Sequence, residues 1–247
     1  MIFYIILFLI ILAIIIWGGV TQWRFINGMG KEGFEGKNLE NFLIEKEKHY
    51  GGLVQGVKRN DTSPLDPRTI KEIATGGMQG GDRMSSSYHN YAPIYAKYLQ
   101  PYLNNDNIVL AEVGILKGSG CAIWSELFKN GRIIGLDYDL NHIKNNMKFL
   151  KSKGAFSNNN LELHNFDSYK PKIKKILNGD TIDIFIDDGP HTDKAILTTL
   201  KEIVPHLSKK FVCFIEDNAQ VHHKIRINYP KFKVINDGQM TIIIPRE

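Results

Sequence analysis

Ile186-Asp187-Asp188-Gly189-Pro190-His191 and Ile215-Glu216-Asp217-Asn218 are the stretches from which the fold can be read. Each closes a run of apolar, β-branched or aromatic residues, Ile182 to Ile186 in one case and Phe211 to Ile215 in the other. Short apolar runs with a helical pattern between them read as parallel strands of an α/β sheet. Ligands of open α/β sheets bind beyond the carboxyl ends of the strands. Three or more carboxylates and one imidazole are therefore expected along one functional edge.

Upstream, Ile108 to Val113 reads as another strand, and it runs into Gly114-Ile115-Leu116-Lys117-Gly118-Ser119-Gly120. A glycine turn between strand and helix lets backbone N–H groups approach a ligand unobstructed. With Glu112 the spacing is Glu-x-Gly-x-x-x-Gly-x-Gly. This is neither the dinucleotide fingerprint nor a phosphate loop ending in Lys-Ser/Thr. Alone, such a turn is more often structural than a cofactor site. Its neighbours strengthen it: Arg132 to Leu136 ends in Asp137-Tyr138-Asp139, where an acid can take both ribose hydroxyls. Leu161 to Phe166 ends in Asp167-Ser168.

From Tyr88 onward the pattern is a helix, then strands alternating with helices. Helices are expected at Asn141 to Lys151, Pro171 to Leu177 and Asp193 to Leu207. Phe232 to Ile235 and Met240 to Ile244 flank Asn236-Asp237-Gly238-Gln239, a turn-forming cluster that predicts a closing hairpin.

These residues together resemble the class I S-adenosylmethionine-dependent methyltransferases. Within them the chain is similar to the metal-dependent sugar O-methyltransferases of macrolide and rhamnoside tailoring and to the cephalosporin-hydroxylase-like proteins. The resemblance runs from about Gly80 to the C-terminus. Its most specific pieces are Ile186 to His191, with Pro190 where the family usually has Ser, and Ile215-Glu216-Asp217. Gly80-Gly81-Asp82-Arg83, followed by His89, Tyr91, Tyr95 and Leu99, is similar to a family segment reading Gly-Thr-Asp-Lys and its following helix. The resemblance implies a Rossmann-like seven-stranded sheet with a C-terminal β-hairpin, with S-adenosyl-L-methionine and Mg²⁺ as cofactors. The expected cofactor contacts are Glu112, Gly114, Gly118, Gly120, Asp137, Asp167 and Ser168.

A sugar hydroxyl stays protonated near neutral pH and is a poor nucleophile. A divalent cation that lowers its pKa and a base that takes its proton both help. Asp188, Glu216 and Asp217 supply oxygen ligands suited to a hard cation such as Mg²⁺. His191, three residues past Asp188 and expected at the start of a helix, can face the same pocket. The resemblance implies metal binding for these carboxylates and general-base catalysis for His191. The plainer reading makes Asp187 and Asp188 turn and cap residues and His191 a surface histidine. For either motif alone that reading is favoured; two motifs on adjacent strand ends reverse it. Asp187 could serve the cofactor or the strand end. His222 and His223 diverge on a helix, His49, His142, His164 and His206 are isolated on charged segments, and His89 is singled out by the resemblance.

The 247 residues suffice for one α/β domain with an N-terminal appendage. The net charge of +5 is mild, and the lysines form no compact basic stripe, so nucleic acid is a minor candidate. His222 to Lys233 reads as a solvated helix and loop before it reads as a phosphate or lipid-headgroup contact. Cys121 and Cys213 read as small buried hydrophobes.

Ile2 to Trp17 is uninterrupted apolar sequence, extendable to Val20; as a helix it would reach roughly 28 Å, close to a bilayer core. No basic n-region or small-x-small cleavage site marks it as a secretory signal. The expectation is a single-pass anchor over 1–20 with Trp17 and Trp23 at the interface. A linker over 21–37, an N-terminal extension or cap over 38–87 and the methyltransferase domain over 88–247 would follow. Arg24, Lys31 and Lys37 all follow the apolar run, which puts the catalytic domain on the cytoplasmic side.

The functional expectation is a membrane-held, Mg²⁺-dependent O-methyltransferase acting on a small-molecule or glycan acceptor. Two alternatives stand beside it: an inactive membrane-anchored binding protein on the same fold, and a Rossmann-type NAD(P) oxidoreductase.

Overall fold

The computed structural model describes residues 36–51, 83–84, 86 and 89–246, all within one compact unit that begins at Gly36. The apolar run Ile2 to Val20, most of the linker and much of 52–88 lie outside the described residues. Among the described residues, no helix is long and apolar enough to cross a membrane.

The chain runs through α1 (Gly36–Gly51), α2 (Ala92–Leu99), β1 (Val109–Val113), α3 (Ser119–Leu127), β2 (Arg132–Asp137), α4 (Asn141–Ser152) and β3 (Leu161–Asn165). It continues through α5 (Lys174–Leu177), β4 (Ile182–Asp187), α6 (Asp193–Ile203), β5 (Leu207–Ile215), α7 (Val221–Asn228), β6 (Phe232–Asp237) and β7 (Met240–Pro245). The seven strands form one sheet in the order β3-β2-β1-β4-β5-β7-β6. The first five are parallel, and β7 is antiparallel to both β5 and β6. This is the expected sheet with its closing hairpin.

Burial explains the sequence pattern. Every residue of β1 is buried, and β4 is buried except at Asp183, because helices cover both faces. The edge strands β3 and β6 are mostly half-buried or exposed and mix apolar with charged and polar residues. α1 presents Leu39, Phe42 and Leu43 to the body and packs against α2 and α3. Tyr50 Oη donates to Glu126 over 2.6 Å, and Glu47 accepts the Met84 N–H at 2.9 Å. Cys121 and Cys213 are free and buried.

Two helices are shorter than expected. α6 stops at Ile203 because Pro205 cannot give an intrahelical hydrogen bond, and the chain tightens into a 3₁₀ turn, Val204–His206. α5 is a single turn; ahead of it the Ile173 N–H is given to the Glu202 carboxylate at 2.9 Å. α6 starts at Asp193, where the Thr192 hydroxyl accepts from the Ala195 N–H. Such a cap contributes about 1 kcal/mol.

Candidate active site

Strand order reverses between β1 and β4, the switch point at which open α/β sheets bind ligands. Register sets the carboxylates there. Val113 pairs with Asp187, and Asp187 with Ile215. The ladder extends one residue further, with the Asp188 N–H donating to Val113 O and the Glu216 N–H to Asp187 O, each at 2.9 Å. Glu112, Asp188, Glu216 and Asp217 are thus gathered from three adjacent strand ends.

Arg83 lies at the centre of this group. Its Nη1 donates to Glu112 Oε1 at 2.7 Å, and its Nε and Nη2 donate to Glu216 at 3.0 and 2.6 Å. Nη2 is also 3.6 Å from Asp188 Oδ2. The guanidinium carbon sits 5.9 Å from the ring centres of both Tyr95 and Trp124. Burial opposes the charge of Arg83, but Glu216, Tyr95, Glu112 and Asp188 outweigh it and hold the guanidinium protonated. Glu216, 1% exposed, also accepts from the Tyr95 hydroxyl. Burial raises its pKa, with Arg83 pulling the other way. Glu112, equally buried, accepts from Trp124 Nε1 at 3.1 Å and faces Cys121 Sγ at 3.5 Å.

On the more open side, Asp188, His191 and Asp217 each offer one ligand atom, all within 4.8 Å of one another. His191 Nε2 is 3.7 Å from Asp188 Oδ1 and 3.8 Å from Asp217 Oδ2. Asp217 Oδ1 accepts from the Tyr91 hydroxyl at 2.7 Å and lies 3.4 Å from His89 Nδ1. Burial, then the charge of Glu216, raises the Asp188 pKa. Two carboxylates and an imidazole nitrogen at this separation suit a divalent cation. His191 precedes the helix instead of starting it, with φ at 56°, and Asp217 has φ at 55°. Left-handed backbone at two non-glycine residues is strain of the kind that collects at functional sites. The loops are held by Asn218, whose Nδ2 donates to His191 O and Asp193 Oδ1, both at 2.9 Å. The Asn218 N–H donates to Gln239 O at 3.0 Å in the β6–β7 turn.

The expected cofactor residues follow the other half of the switch point. Gly114 has φ at +85°, and a Cβ there would lie 1.9 Å from Asp188 O, so the turn and the end of β4 touch backbone to backbone. At Gly120 a Cβ would come within 2.5 Å of both Arg83 Nη1 and Glu112 Oε1; this glycine makes room for that ion pair. Gly118 precedes α3 in left-handed conformation. Asp137 Oδ2 accepts the Leu116 N–H at 3.0 Å, tying β2 to the turn, and its Oδ1 accepts the Asp139 N–H at 2.9 Å. Asp167 Oδ1 accepts the Tyr169 N–H at 2.9 Å, and Ser168 is buried. Asp187, also buried, accepts the Gly189 N–H at 3.2 Å through Oδ1. Its Oδ2 is buried without a hydrogen bond to the described residues.

Sequence reasoning missed several groups. Leu116, Tyr138 and Tyr169 are exposed large side chains in the loops after β1, β2 and β3. Tyr91 and Tyr95, named from the sequence only as part of the family-like segment, both reach the carboxylates. A cleft of about 340 Å³ opens between His89, Asn90, Tyr91, Pro93 and Ile94 on one side and Asp237, Gly238 and Gln239 on the other. Gln239 Oε1 is buried there without a partner among the described residues.

No family profile matches the chain, and no curated protein matches it significantly. Among solved structures, the MycE methyltransferase of the mycinamycin biosynthetic pathway, in complex with Mg and SAH, is similar over 64% of this chain and 50% of its own, at 17% identity and a TM-score of 0.50. The same enzyme with Mg, SAH and mycinamycin VI gives 18% identity over the same shares, again at 0.50. The chain spans about half the length of these structures. The likeness, together with strand order and the closing hairpin, establishes the fold as that of the class I S-adenosylmethionine-dependent methyltransferases.

Proposed function

We propose that this protein is an S-adenosylmethionine-dependent O-methyltransferase that uses Mg²⁺ and acts on a hydroxylated, sugar-containing acceptor. The observation that carries the reading is the meeting of Asp188, His191 and Asp217 within 4.8 Å at the strand switch point, next to the glycine turn. The Asp188 and Asp217 carboxylates would hold the cation, while Glu216, expected beside them as a ligand, is engaged by Arg83 and Tyr95. When bound, Mg²⁺ would lower the pKa of an acceptor hydroxyl. The turn from Glu112 to Gly120, with Asp137, Asp167 and Ser168, would hold S-adenosylmethionine. Fit is supported by the exposed Leu116, Tyr138 and Tyr169.

His191 is assigned as general base through Nε2, the nitrogen turned to Asp188 and Asp217. Nε2 takes the hydroxyl proton as the oxygen attacks the methyl carbon and the carbon–sulfur bond breaks, releasing S-adenosylhomocysteine. The cleft lined by His89, Tyr91 and Gln239 is assigned to the acceptor.

Residues Ile2 to Val20 are proposed as a single-pass anchor that leaves the catalytic domain on the cytoplasmic side. MycE, crystallised with mycinamycin VI, lends support to a small-molecule acceptor here. The test is transfer of labelled methyl from S-adenosylmethionine to a panel of glycosides, with and without chelator, in parallel with membrane fractionation of the full chain. Chelator-resistant transfer would remove the cation, and recovery of the uncleaved chain in the soluble fraction would remove the anchor.

A further inference from the structure

We propose that Arg83 is a positioning residue that balances the two halves of the site, supporting the cofactor turn while restraining the affinity of the carboxylates for a cation. The inference rests on the functional reading above and concerns a residue to which that reading gives no role.

The geometry has two parts. Through Nη1, Arg83 holds Glu112, whose other oxygen receives Trp124 Nε1 from α3. Glu112, α3 and the glycine turn between them are therefore braced from one guanidinium, and Gly120 is bare enough to let it in. Through Nε and Nη2, Arg83 grips Glu216 in a fork, and Nη2 comes to 3.6 Å from Asp188. A fixed positive charge is thus built into the carboxylate cluster. A divalent cation arriving at Asp188 and Asp217 meets that charge at short range, in a partly buried place where screening is weak. The guanidinium satisfies Glu112 and Glu216 in the absence of a cation and opposes the cation when one binds.

The two roles are separable because they depend on different properties of the side chain. Bracing Glu112 and Glu216 together needs a planar fork, whereas opposing a cation needs only charge. Lysine keeps the charge and loses the fork; methionine loses both.

Isothermal titration of the full chain with Mn²⁺ alone and with S-adenosylhomocysteine alone, for wild type, Arg83→Lys and Arg83→Met, tests this. The methionine variant is expected to bind Mn²⁺ at least fivefold more tightly and S-adenosylhomocysteine at least fivefold more weakly. The lysine variant is expected to keep Mn²⁺ affinity within twofold while losing S-adenosylhomocysteine affinity. A side chain serving only as a structural prop would weaken both ligands on removal, and that result overturns the inference while leaving the functional reading in place. Should the methionine variant fail to fold, the lysine variant decides by itself: S-adenosylhomocysteine affinity equal to wild type overturns the proposal. Wild-type protein that binds neither ligand overturns the functional reading and the inference with it.

Discussion

Tyr91 and Asp217, 126 positions apart, share a 2.7 Å hydrogen bond from the phenol to the carboxylate. Tyr91 is buried, and Asp217 and Glu216 with that burial push its pKa far up, so it donates throughout the physiological range. Tyr91→Phe keeps the ring and removes the donor. The expected loss is about 1.5–3 kcal/mol, the usual worth of a hydrogen bond to a charged group. Urea unfolding at neutral pH measures it, and an unchanged midpoint would make the contact inconsequential.

His191 Nε2 can act as a base or complete a three-donor cation site, and the two roles separate on substitution. As the base, His191→Ala lowers turnover on the order of 10²–10⁴-fold. It leaves Mn²⁺ and S-adenosylhomocysteine affinities near wild type. Titration calorimetry beside the kinetic assay distinguishes the roles, because a ligand role predicts weaker Mn²⁺ binding.

Asp188→Asn keeps the shape of the side chain and removes its charge. The Mn²⁺ dissociation constant is expected to rise at least tenfold, about 1.4 kcal/mol, with S-adenosylhomocysteine affinity little changed. The same titration reads both, and an Mn²⁺ affinity that does not move would place the cation elsewhere.

Desolvation raises the Asp187 carboxyl from 3.8 to about 6. Between those values the folded protein holds a proton that the unfolded chain releases, so this group's contribution to stability falls as pH rises from about 4 through 6. The shift corresponds to about 3 kcal/mol. Asp187→Asn, which cannot ionise and can still accept from Gly189, should match wild type near pH 4 and exceed it by up to that amount at pH 7.5. Paired urea titrations without ligands check the difference, and parallel curves would refute the assignment.

The sheet was legible because parallel strands buried on both faces must read as apolar runs, and Ile182 to Ile186 and Phe211 to Ile215 do. The Asp237-Gly238 turn marked the hairpin for a local reason, since tight hairpin turns demand such residues. Asp188, His191 and Asp217 were legible because strand ends converge wherever register aligns them. Arg83 was legible only as a departure from Lys in the family segment. Its contacts to Glu112 and Glu216 span 29 and 133 positions, and no local pattern encodes such pairings. The left-handed backbone at His191 was equally hidden, because no local pattern marks a positive φ at a non-glycine residue.

Asn218 holds the β6–β7 turn through the carbonyl of Gln239, a group present whatever side chain occupies that position. The side chain at position 239 can therefore change while the loops bearing His191 and Asp217 keep their places. With the acceptor in the proposed cleft, acceptor preference and reaction chemistry become separable traits: a change at position 239 would alter which molecule is chosen and leave the proposed reactive groups intact.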